Sequence, residues 1–98
     1  MYKRWFLSLK DVQARAKINV RLRRIELAGQ LVGDFKSVGD SVIELRFDSG
    51  PGYRVYITQV ESAIVVLLAG GDKSSQVKDI VAAKRIAAEW RGEHGYGN

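Results

Sequence analysis

Apolar residues begin the chain at helical spacing: Tyr2, Trp5, Phe6 and Leu9 fall on one stripe, which predicts a short helix ahead of the break "LKD". The period resumes from Ala14 to Leu27, with Ala14, Ile18, Leu22 and Ile25 on one side and Ala16, Val20 and Leu27 on the other. A helix with two apolar stripes is expected between a neighbouring helix and a sheet, so these two helices read as an antiparallel hairpin. Gly29, Gly33 and Gly39 punctuate "AGQLVGDFKSVGDS", with a short strand expected around Phe35 to Val38.

The period then changes to two. Ile43, Leu45 and Phe47 alternate with Glu44, Arg46 and Asp48, and beyond "DSGPG" Tyr53, Val55 and Ile57 alternate with Arg54, Tyr56 and Thr58. Only a register that pairs Phe47 with Tyr53 keeps both apolar sets on one face, since a one-residue slip flips a whole strand. That register sets Arg46 across from Arg54 and Glu44 across from Tyr56, on a face expected to be exposed. "AIVVLLAGG" has the continuous apolar character of a central strand covered on both faces. "QVKDIVAAKRIAAEW" reads as a helix with Val77, Ile80, Val81 and Ala88 inward, and residues 92–98 as a frayed tail. The sum is one α+β domain over residues 1–98: a helical hairpin, three or four antiparallel strands and a last helix, the helices on one face.

Composition narrows the function. The chain has no cysteine and a single histidine, His94 in the tail, so neither a thiolate site nor a multi-histidine metal centre is available, and no cofactor is expected. The longest apolar run, Ala63 to Ala69, is too short to cross a bilayer, and no signal-like core opens the chain, which points to a cytoplasmic protein. A net charge of +5 and a pI near 9.7 favour acidic partners such as nucleic acid.

The candidate chemistry lies on the two alternating strands. Like charges facing each other across a sheet are unfavourable, so Arg46 and Arg54 need compensation. Glu44 and Asp48 supply it if the cluster is only a charge network. Alternatively, two planar forks of donors make a phosphate site, with Tyr56 beside them for stacking or donation and Lys73 of "GGDKSS" as a third cation. A metal-free ribonuclease needs a base for the 2′-hydroxyl, a stabiliser of the pentavalent phosphate and an acid for the 5′-oxygen. Glu44 is the candidate base, the arginines the stabiliser, and Lys73 or Tyr56 the acid. Lys17, Arg21 and Arg24 on the second helix, with Lys36 on the first strand, form either a solvated basic face or an RNA-capturing one. "GGDKSS" lacks Walker spacing, and Trp5 and Trp90 read as core.

The segments "WFLSLKD", "ARAKINVRLRRIELAG", "GDFKSVGDSVIELRFDSGPGYRVYI", "VVLLAGGDKSSQVKDI" and "AAEW" together resemble the RelE/ParE toxin superfamily, in its HigB-like, phage-related addiction-module branch. The resemblance runs from Trp5 to Trp90. It implies a type II toxin held by a helix-turn-helix antitoxin, entering the ribosome and cutting mRNA without a metal. Arg54 matches the family's recurrent catalytic arginine, Lys73 the basic loop position, and Arg46 is a weaker match. Two departures stand out. Val42 and Glu44 replace the lysines of RelE enzymes, and the family's first β-strand is missing ahead of the first helix, so either the start lies upstream of Met1, which is the favoured expectation, or the chain is shorter than its relatives with an uncovered sheet edge. The alternatives left open are a ParE-like gyrase poison and a vestigial toxin that mainly binds its antitoxin.

Overall fold

The computed structural model describes residues 12–48, 52–60, 63–70 and 73–94. Their order is α1 (Val12–Ala28), β1 (Phe35–Gly39), β2 (Val42–Arg46), β3 (Arg54–Val60), β4 (Ala63–Gly70), a 3-10 turn (Lys73–Ser75) and α2 (Gln76–His94). The helix expected over Tyr2 to Leu9, and with it the hairpin, lies outside the described residues. The strands form one antiparallel sheet in the order β1-β2-β3-β4, giving an α+β fold.

One stripe of α1 builds the first core layer. Ala14, Ile18, Leu22 and Ile25 are buried, and the last three pack on Leu45, Phe47, Val55 and Ile57. Each fully buried Leu or Ile contributes about 1.5–3 kcal/mol. Gly29 ends the helix at φ 69°, donating its N–H to the Ile25 carbonyl at 3.0 Å, a left-handed cap that a side chain would strain. The second stripe, Ala16, Val20 and Leu27, is exposed.

The strands follow the alternation. Glu44 pairs with Tyr56 and Arg46 with Arg54, and the Phe47 N–H donates to the Tyr53 carbonyl at 2.9 Å. Between β1 and β2 a two-residue loop, Asp40 and Ser41, takes positive φ at both positions (52° and 62°), the backbone twist that closes a tight hairpin.

Five expectations are corrected. The helices do not share one face: α2 covers the face opposite α1, where Ala83 and Ala87 lie among Val42, Tyr56 and Leu67. Those alanines let the helix come close enough to bury Glu44, Tyr56 and Thr58 completely. Of the polar half of the alternation, Glu44, Tyr56 and Thr58 are thus buried, whereas Arg46 is half-exposed and Asp48 exposed. Nor is β4 central, since it stands at an edge of the described sheet. Its continuous apolarity reflects two covered faces: Ile64 and Val66 meet the α1 layer, while Val65, Leu67 and Leu68 meet the α2 layer. An irregularity opposite Tyr56 and Ile57 breaks the alternation there. On α2, Ile80, Ala83 and Ala87 face inward, whereas Val77 and Val81 are 78% and 65% exposed and Ala88 is exposed. Finally, α2 continues to His94, so Gly92 to His94 of the expected frayed tail are helical.

Candidate functional site

The β2–β3 register sets the site. Residues facing each other across an antiparallel pair share a face, so Glu44, Arg46, Arg54 and Tyr56 all project toward the α2 side of the sheet. Lys36, opposite Glu44 on β1, shares that face and is exposed. The helix covers one end of the face and leaves the other open. Glu44 and Tyr56 are inaccessible, whereas the side chains of Arg54 and Arg46 keep 14% and 36% of their exposure.

Glu44 is the hub. Its Oε1 accepts a hydrogen bond from Arg46 Nε at 2.9 Å and lies 3.7 Å from Arg54 Nε. Its Oε2 accepts from the Tyr56 hydroxyl at 3.0 Å and from Gln76 Nε2 at 2.9 Å. Burial by itself would raise this carboxyl, but the bonds from Arg46, Gln76 and Tyr56 outweigh it and hold the group below its ordinary 4.5. The same cluster acts oppositely on the phenol: burial, then the Glu44 charge and hydrogen bond, push Tyr56 far above its ordinary 10.0. Arg46 is raised, first by its bond to Glu44. The cluster at neutral pH is therefore an ionised carboxylate, a neutral phenol and two guanidiniums.

Both arginines line a cleft of about 350 Å³ with Asp34, Phe47, Asp48, Gly52 and Tyr53. Arg54 Nη1 reaches the Gly52 carbonyl at 3.3 Å, while its Nε is buried without a hydrogen-bond partner. A second groove of about 540 Å³ meets the first at Arg46 and carries Lys17, Arg21 and Arg24 along one wall. The basic face of α1 and the arginine pair thus border one continuous depression.

Arg21, which lines this groove, is also engaged within the fold. Arg21 commits its guanidinium to backbone, donating from Nε to the Val32 carbonyl at 2.9 Å and from its terminal nitrogens to the Asp34 and Arg46 carbonyls. Its guanidinium carbon lies 4.8 Å from the centre of the Phe47 ring. Burial lowers Arg21 from its ordinary value, with Asp34 partly opposing. Arg21 clasps the α1–β1 loop to the end of β2. Lys73 opens the 3-10 turn three residues after Gly70, the β4 partner of Arg54, so the backbone brings this position to the same end of the sheet.

Four residues around the cluster were not legible. Gln76 bonds a carboxylate thirty-two positions away, and no local pattern announces it. Gly70 is buried against Asp79, with no room for a side chain, and Asp79 in turn accepts from Ser75 Oγ at 2.6 Å. No group of three or more metal-binding side chains occurs among the described residues, and none of their helices is long and apolar enough to cross a membrane.

The model of the family described as "Phage derived protein Gp49-like" matches residues 4–90, a span that holds every residue of this cluster. The chain belongs to the Gp49-like family. This family is linked to toxin-like addiction modules. Among curated relatives, an uncharacterized protein of Haemophilus influenzae is 49% identical over 85 residues, covering 87% of this chain and 84% of that protein. No solved structure matches.

Proposed function

We propose that this Gp49-like protein is the toxin of a type II toxin–antitoxin pair and cuts mRNA on the ribosome without a metal. One observation carries the reading: two arginines face each other across a hairpin at an open cleft, both with their Nε edges turned to one buried carboxylate. A pair so arranged suits a phosphodiester, whose charge grows as the 2′-hydroxyl attacks phosphorus and which two planar donor forks neutralise. Lys17 and Arg24, on the adjoining groove, guide the RNA, and Lys36 adds charge on the same side as the arginines.

The carboxylate and phenol are too enclosed to exchange protons with a substrate, so the 2′-hydroxyl gives its proton to solvent water as its oxygen bonds phosphorus and the P–O5′ bond breaks, and the protein's share of the chemistry rests on orientation and charge stabilisation. The ribosome supplies the first by fixing the mRNA in line, which lifts a slow site to a useful rate. Lys73, in the turn beyond the sheet end that carries Arg54, is the candidate to neutralise or protonate the leaving 5′-oxygen. A helix-turn-helix antitoxin is the expected inhibitor.

The enclosure of Glu44 also favours a second reading, a gyrase poison of the ParE kind that uses the arginines for binding alone. Adding purified protein to a reconstituted translation reaction and mapping new mRNA 5′ ends separates the two. The proposal expects cuts in step with codons on translated message and none on naked mRNA. Intact message with inhibited gyrase supercoiling overturns it.

A further inference from the structure

A negative charge beside two arginines weakens their attraction for phosphate, so the presence of Glu44 at the centre of an anion site needs its own explanation. A general base must turn an oxygen toward the substrate. Glu44 turns neither: it is fully buried, Oε1 is taken by Arg46 and shared at 3.7 Å with Arg54, and Oε2 is taken by Tyr56 and Gln76. The same geometry makes it well suited to orientation. Both guanidiniums present Nε to one oxygen, which frees the terminal nitrogens of Arg46 for another acceptor. Among the described residues those nitrogens have no hydrogen-bond partner, and those of Arg54 have only the long contact to Gly52.

Gln76 extends the arrangement. It is the first residue of α2, and Lys73–Ser75 immediately precedes it, so its bond to Glu44 fastens the start of the helix and that turn to β2. Asp79, one turn on, lies close to Tyr56 and is held by Ser75.

We propose that Glu44 and Gln76 are positioning residues: Glu44 aims the free edges of Arg46 and Arg54 at one phosphodiester, and Gln76 holds Glu44 and the Lys73 turn in register. Neither takes a proton from the substrate. The inference rests on the reading of the arginine pair as a phosphodiester site.

The test uses the full chain, a single-stranded RNA oligonucleotide carrying 2′-O-methyl groups, which binds without being cut, and nitrogen-15 spectra of the arginine Nε–H groups. In the wild type, the Arg46 and Arg54 signals shift on adding the oligonucleotide. Gln76→Leu, at the margin of the cluster, keeps the fold and weakens this binding by about tenfold through loss of one bond to the charged hub. In Glu44→Gln the loss of aim opposes the gain from removing a negative charge, so that variant is read by its pH profile: the residual cleavage of both variants in the translation reaction keeps the wild-type profile. If Glu44→Gln does not fold, Gln76→Leu carries the test alone.

Unchanged affinity in a folded Gln76→Leu protein overturns the positioning role, as does loss of the acidic limb of the pH profile in Glu44→Gln, the mark of a general base. A wild type whose arginine signals ignore the oligonucleotide overturns the phosphodiester site as well, so the two failures are told apart.

Discussion

Replacing Arg21 with alanine distinguishes a clasp from an RNA contact. The substitution removes hydrogen bonds to the Val32, Asp34 and Arg46 carbonyls and the stacking on Phe47. The Asp34 carbonyl retains the Arg46 N–H at 2.9 Å, so two acceptors lose their partner. A hydrogen bond from a charged donor contributes about 1.5–3 kcal/mol and a cation over a ring about 0.5–1. Because water can reach these half-covered carbonyls, the low end applies to each, and the expected loss is about 3 kcal/mol. In a domain of this size that lowers Tm by roughly 12–24 °C. Urea unfolding followed by circular dichroism reads it as a lower midpoint at constant slope. Lys17→Ala and Arg24→Ala, which remove only groove-lining charges, stay within about 0.5 kcal/mol of the wild type. A folded Arg21→Ala protein of unchanged stability but weakened RNA binding refutes the clasp.

Other outcomes follow from the same contacts. Gly33→Ala places a Cβ 2.6 Å from Arg21 Nε at a φ of +84°, so it displaces the clasp and strains the backbone, costing about 1–3 kcal/mol by urea titration. Ser41→Gly, at φ 62° in the β1–β2 loop, relieves a left-handed residue while the backbone carbonyl that accepts from Thr58 Oγ remains, and it raises stability by about 0.5–1 kcal/mol. Because Glu44 is held below its ordinary 4.5, the unfolded chain binds the proton first on acidification; the stability it contributes is present above pH 4.5 and is lost as pH falls through the lower folded value. Tyr56 behaves in the opposite sense, keeping its proton when folded, so its contribution is full below pH 10.0 and is lost as pH rises beyond it. Tyr56→Phe removes much of that alkaline loss in a pH series of thermal melts.

The fold was legible where one physical cause produces one pattern. Ile18, Leu22 and Ile25 repeat at helical spacing because a single face of α1 meets the sheet, and the Arg46–Arg54 register follows from keeping Phe47 and Tyr53 together. Legibility failed where two causes give the same pattern. A polar residue in an alternating strand is either solvated or buried with partners, and Glu44, Tyr56 and Thr58 are of the second kind. The partner that decides the matter, α2, lies far along the chain. Thr58 illustrates the dependence: its hydroxyl donates to the Ser41 carbonyl at 2.8 Å and accepts from Arg91, thirty-three residues away. Likewise Val77 and Val81 fit an inward stripe as well as Ile80 does, until Ala83 and Ala87 are seen to be the small residues that allow close approach. Within the site, the arginine pair could be read from the strands, whereas Gln76 and the saturation of Glu44 depend on the tertiary fold.

The central claim is that Arg46 and Arg54 form a phosphodiester site, and Arg54→Ala tests it most directly. The variant gives up one long contact to Gly52 and a 3.7 Å ion pair, while Glu44 keeps Arg46, Tyr56 and Gln76, so the fold is expected to survive. In a reconstituted translation reaction, with circular dichroism verifying the fold, the wild type is expected to produce codon-phased mRNA ends and Arg54→Ala to produce none. Codon-phased cutting that persists in a folded Arg54→Ala protein contradicts the account.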